Sequence, residues 1–218
     1  PPAQLPGWVS NISTFPHSMT GVTYCWGGFD TTTGFLAHIA SGYMAGNINT
    51  ETGGQVSATC GVDCSGYLSR IYGYATKKST GGLKNLFPTV SWAYLCTGDY
   101  LLKHTSVDGN GDGTYPSGNH VVLFHTVPIS GYVLYIDCAT DTGKTSVRSA
   151  TRASLIASDY VPHRPFEKGH EIDNTTWSYN STYHWRRCIN GCANGYPYGR
   201  DTHTYNGTGI CTVCGYSS

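Results

Sequence analysis

Charge is what this chain of 218 residues has least of. Only 12% of its residues are Asp, Glu, Lys or Arg, and 13 basic against 13 acidic residues leave no formal net charge. A chain so poor in lysine and arginine lacks the basic surface that general nucleic-acid binding needs, so no nucleic-acid partner is expected. Long apolar runs are missing too. None approaches the length that crosses a bilayer, and no membrane span is expected. No secretory leader stands at the start, and the opening "PPAQLPGW" reads as a mature or trimmed end.

What the chain has instead is 28 Gly, 17 Tyr and abundant Ser, Thr and Asn, the polar and lysine-poor profile of an exported protein. It also has nine cysteines. An odd number leaves at least one outside any set of intramolecular disulfides. Cys25, Cys60, Cys64, Cys96 and Cys138 are scattered through the first two thirds, while Cys188, Cys192, Cys211 and Cys214 cluster near the end. Among the scattered ones, Cys25 with Cys60 and Cys96 with Cys138 are conceivable pairs, although spacing alone does not decide connectivity.

The organisation follows the same division. "HVVLFHTV" (120–127) and "GYVLYIDCAT" (131–140) read as strands joined by a short turn, and "YLLKH" (100–104) as a third. "CSGYLSRIYGYA" (64–75) reads as a helix with Leu68, Ile71 and Tyr72 on one face and Gly73 near its end. A helix followed by antiparallel strands predicts an α+β domain over 1–166. The Asn/Thr/Ser-rich stretch 167–183 reads as a connector, and 184–218 as a small Cys/His-rich module.

Cys64 stands at the first turn of that helix, where backbone N–H groups and the positive dipole end stabilise a thiolate. A thiol nucleophile needs a base, and the base needs an orienting group. His120 opens one strand and Asp137 lies near the end of the next, so a short antiparallel hairpin puts both at one edge of the sheet. If the helix N-terminus meets that edge, Cys64, His120 and Asp137 come together.

With these residues in view, the chain resembles the NlpC/P60 cysteine peptidases, papain-like bacterial cell-wall hydrolases. "YCWGG" (24–28) is similar to the family's Tyr-x-x-Gly-Gly block, "DCSGYLSRIY" (63–72) to its nucleophile block and "NHVVLF" (119–124) to its histidine strand. "TGDYLLK" (97–103) looks like the strand that precedes the histidine. The resemblance covers residues 20 to 155 and implies a papain-like fold. It also implies roles: Cys64 as nucleophile, His120 as base and then acid, Asp137 as orienting group, and Tyr24 beside the carbonyl oxygen. Asp63 and Ser65 would contact the free amino end of a peptide stem. The implied activity is hydrolysis of an amide in peptidoglycan stem peptides through an acyl-enzyme, with no cofactor needed for catalysis. The implied setting is a secreted or cell-surface bacterial protein, expected as a monomer. An amidase or peptidase acting on another amide, or a decayed wall-binding module, are the alternatives.

Two inserts depart from the family pattern. The long stretch between Gly28 and Asp63 is expected to wall the cleft. The loop before His120 places Asp108, Asn110, Asp112 and Gly113 as in an EF-hand loop, but Asn119 stands where a bidentate glutamate belongs. In the tail, "HWRRCINGC" (184–192) and "HTYNGTGICTVCGY" (203–216) resemble paired zinc knuckles. His184, Cys188, Cys192, His203, Cys211 and Cys214 compete for four places. Cys188, Cys192, Cys211 and Cys214 are favoured as ligands of a structural zinc, with two disulfides as the alternative.

Overall fold

The computed structural model describes residues 3–6, 21–127, 131–165, 172–188 and 198–217. After Asp30 the chain forms α1 (Thr32–Ala40), capped by the Thr31 hydroxyl, which accepts the Gly34 N–H. A minimal parallel pair follows, β1 (Met44–Ala45) with β2 (Thr59–Cys60). Next come α2 (Cys64–Ile71) and α3 (Thr80–Leu86). The main sheet contains β3 (Tyr100–Lys103), β4 (His120–Thr126), β5 (Tyr132–Ala139) and β6 (Lys144–Thr151). After α4 (Arg152–Ala157) it is completed by β7 (Val161–His163). Its order is β6-β5-β4-β3-β7, with every neighbouring pair antiparallel. A second, three-stranded antiparallel sheet orders β8 (Ile172–Tyr179), β9 (Tyr183–Cys188) and β10 (Tyr198–Thr202) as β10-β9-β8. The architecture is α+β, as the sequence predicts. No helix among the described residues is long and apolar enough to cross a membrane.

The period of two along β3 and β4 sends alternate side chains to opposite faces. Tyr100, Leu102, Val121 and Leu123 face Leu68 of α2 and Leu83 of α3, while Leu101, Val122, Phe124 and Val133 face Leu155 of α4. Each fully buried Leu, Val or Phe contributes about 1.5–3 kcal/mol. That burial pins α2 across the sheet with its N-terminus beside the start of β4.

Three expectations change. The helix expected over 64–75 ends at Ile71, where Tyr72 caps it and Gly73 turns into the left-handed region at φ +71°. Its buried stripe centres on Ser65, Leu68 and Ser69, which leaves Ile71 half exposed. The stretch read as a connector contains β8, because Thr, Trp and Tyr favour a strand once β9 supplies hydrogen-bonding partners. Neither conceivable disulfide forms, since Cys25, Cys60 and Cys138 are buried free thiols and Cys96 is bridged elsewhere. Each of the three has its own oxygen partner: the Thr59 hydroxyl at 3.3 Å, the Met44 carbonyl at 3.5 Å and the Val62 carbonyl at 3.3 Å.

Candidate active site and metal-ligating group

Asp63 makes the first turn of α2. Its Oδ1 accepts the Gly66 N–H at 2.7 Å and the Ser65 hydroxyl at 2.9 Å. Its Oδ2 accepts the Gly27 N–H at 3.0 Å and pairs with the Lys77 ammonium. This N-cap sets Cys64 at the first helical position, where its own N–H has no acceptor within the helix. The strip carrying Tyr24 runs alongside: the Cys25 N–H donates to the Val62 carbonyl at 2.8 Å and the Val62 N–H to the Thr23 carbonyl at 3.0 Å. Gly27 lies at φ +77°, which lets the strip turn so that its N–H reaches Asp63.

His120 Nε2–H donates to Asp137 Oδ1 at 2.7 Å. That leaves Nδ1 free of Asp137, and the Cys64 thiol lines the same cleft as the imidazole. The sheet explains the pairing. Leu123 faces Ile136 in the β4–β5 register, so His120 and Asp137 project from the same face on a diagonal. Burial works to lower the His120 pKa, but the Asp137 hydrogen bond and the neighbouring Cys64 outweigh it and raise it to about 10. On the next strand, Arg148 Nη1 donates to Asp137 Oδ2 at 3.2 Å and to both oxygens of Asp141 at 3.0 and 2.9 Å.

These groups open onto a cleft of about 360 Å³. Tyr24, Cys64, His120 and Asp137, all expected from the sequence, line it together with Trp26, Thr50, Asn119, Tyr135, Ala139, Thr140, Arg148 and Tyr160. Thr50 comes from the long insert after Gly28. Tyr24 is 3% exposed, and burial, with the Cys64 and Asp63 charges adding to it, holds its phenol protonated as a donor. Asp63 and Ser65 do not line the cleft. They lie buried behind the thiol, with the carboxylate committed to the helix cap, Gly27 and Lys77. Sequence reasoning missed Arg148. A basic residue in the strand that would pair with "LYID" is the signal that could have found it.

The loop before His120 uses its polar oxygens internally. Asp108 accepts the N–H groups of Gly111, Asp112 and Gly113, Asp112 accepts that of Thr114, and Asn119 accepts that of Thr105. Such Asx turns account for the Asp/Asn/Gly spacing without an ion.

In the tail, the ligand atoms of His184, His203, Cys211 and Cys214 all lie within 4.8 Å of one another, a group that could hold a metal ion. Cys211 Sγ is 3.9 Å from His184 Nδ1, and Cys214 Sγ is 3.5 Å from His203 Nδ1. A tetrahedral S₂N₂ site has sulfur–nitrogen edges of about 3.6 Å. His203 Nε2–H donates to the Asn180 carbonyl at 2.7 Å, which leaves Nδ1 as the ligating nitrogen. Burial pushes the Cys211 thiol up, but N–H groups of the Cys214, Val213 and Thr204 backbone and the His203 ring bring it down to about 5. Two histidines therefore join Cys211 and Cys214, where the sequence favoured two more cysteines. The Cys188 side chain and Cys192 lie outside the described residues.

No family model matches this chain, and no curated protein sequence matches it.

Proposed function

We propose that this protein is a thiol-dependent amide hydrolase of the NlpC/P60 type, exported by a bacterium and acting on peptidoglycan stem peptides. The observation that carries the reading is the set of groups that shares the cleft: a thiol at a helix N-terminus and an imidazole with one nitrogen held by a carboxylate. Cys64 attacks the amide carbonyl carbon. The tetrahedral oxyanion forms beside the Tyr24 hydroxyl and the Cys64 N–H, both donors. His120, holding the thiol's proton, gives it to the departing amine and leaves a thioester. Water then attacks the thioester with His120 as base, releasing the acid and restoring the thiol. Asp137 keeps Nδ1 facing the sulfur throughout.

The proposed division is a hydrolase body over 1–166 and a small module over 184–218. In that module His184, His203, Cys211 and Cys214 hold a structural zinc, since four closed N/S ligands leave no open position for catalysis. Incubation with defined muropeptides, with products read by mass spectrometry, tests the reading. New carboxyl and amino ends that vanish with Cys64→Ala support it, whereas binding of intact muropeptides with no product would leave only a wall-binding module.

A further inference from the structure

The far side of Asp137 carries an interaction that the hydrolytic relay does not use. Arg148 sits on β6 directly opposite Tyr135, and Asp137 lies opposite Ser146, so the guanidinium reaches the carboxylate on a diagonal of the same face. One nitrogen, Nη1, spans Asp137 Oδ2 and the Asp141 carboxylate at the β5–β6 turn. Asp137 is 4% exposed. With one oxygen bonded to His120 and the other to Arg148, its carboxylate has little freedom to rotate about its last bond.

We propose that Arg148 is a positioning residue for the Cys64–His120 pair, anchored by Asp141 and acting through Asp137. This rests on the hydrolase reading above. Without Arg148 the carboxylate can swing its free oxygen toward water, and the imidazole loses its fixed angle to the thiol. Small displacements of a reacting group cost up to about 100-fold in rate. Arg148 also sets how strongly Asp137 favours the imidazolium, because a cation on the far oxygen drains part of the carboxylate's pull on His120. Removing that cation should move His120 deprotonation to higher pH. The other titratable and charged groups around the pair are Cys64 and Asp63 from α2 and its cap, Tyr24, Tyr135 and Cys138 of β5, Asp141, and Tyr160. Burial pushes the three phenols and the Cys138 thiol up, so the ring shifts follow the His120 imidazole directly.

The test needs no substrate. Wild type, Arg148→Met, Arg148→Lys and Asp141→Asn are compared by the rate of Cys64 alkylation with iodoacetamide and by ¹⁵N shifts of the His120 ring, from about pH 6 to about pH 11. Arg148→Met is expected to slow alkylation at neutral pH about tenfold, the lower part of the range for displaced reacting groups. It should also raise the midpoint of the His120 titration. Arg148→Lys keeps the charge, so its midpoint should stay near wild type while alkylation falls by an intermediate factor. Asp141→Asn should give a smaller slowing of the same kind. Identical profiles for Arg148→Met and wild type overturn the proposal, as does a midpoint that falls. Thermal unfolding of each variant identifies any that fails to fold, and Arg148→Lys then decides: wild-type alkylation and midpoint in the Lys variant together overturn a positioning role specific to the guanidinium. If instead wild-type Cys64 alkylates no faster than in His120→Ala, the hydrolase reading itself fails, independently of Arg148.

Discussion

Gly66, in the first turn of α2, meets Gly28 with no room for a side chain: a Cβ on Gly66 would stand 2.1 Å from the Gly28 carbonyl oxygen. Two segments far apart in sequence touch backbone to backbone there, and that contact fixes the Tyr24 strip against Cys64. Gly66→Ala should therefore lower stability by about 1–3 kcal/mol, the usual cost of overpacking. The shift would be read as a lower Tm, and unchanged unfolding would mean that the strip yields freely.

Cys64 should be the first of the free thiols in the body to react. Burial pushes Cys25 to about 11 and Cys60 to about 12, and raises Cys138 further, so these three remain protonated near neutral pH. Iodoacetamide followed by peptide mapping should find the label on Cys64. Cys64→Ala should reduce hydrolysis by about 10⁴-fold or more. Comparable labelling of Cys25 or Cys138 would remove the distinction.

Asp137→Asn should keep the fold but slow hydrolysis by about 10²–10⁴-fold, because an amide no longer selects the Nε2–H tautomer. The pH dependence of stability has a definite sign. The folded His120 pKa, about 10, lies above its ordinary value, so native protein binds more protons than unfolded protein between the two. The His120 contribution is complete below about pH 6.5 and is lost as pH rises toward about 10. Urea unfolding at several pH values should show this decline in wild type and a flatter profile in Asp137→Asn.

Asp63→Ala should act on folding. It removes an N-cap, a cost of up to about 2 kcal/mol, and leaves the Gly27 N–H and the Lys77 ammonium without their carboxylate. A clear fall in Tm is expected, with KM of the folded fraction unchanged. A raised KM at unaltered Tm would return Asp63 to substrate binding.

Metal analysis should find about one ion per chain, as four ligands around a single centre imply. His203→Ala or Cys211→Ser should lose it. Chelation should then make the region around β9 and β10 sensitive to protease while Cys64 alkylation continues unchanged. Full metal retention in both variants would move the site to other ligands.

Cys64, His120 and Asp137 were legible in the sequence because their proximity depends on short-range facts. A cap residue starts a helix at the thiol, and two strands joined by a tight turn bring the head of one to the tail of the next. The α+β class was legible for the same reason. The ends of α2 and the strand β8 were harder to read, since each depends on neighbours far along the chain: the sheet that buries Leu68, and the β9 partner that lets a polar stretch pair. What Asp63 does was decided only in three dimensions. The family resemblance implies a substrate contact, but the helix cap takes Oδ1 while Gly27 and Lys77 share Oδ2. Arg148 meets Asp137 through the β5–β6 register, which puts both on one face. In the tail, six residues of suitable chemistry competed for four places. Spacing favours cysteines, but the convergence of His184 and His203 on Cys211 and Cys214 is set by how β9 and the knuckle close over one another. Sequence determines which groups have the chemistry, and long-range chain closure decides which of them meet, because that closure sums many weak contacts that no local window contains.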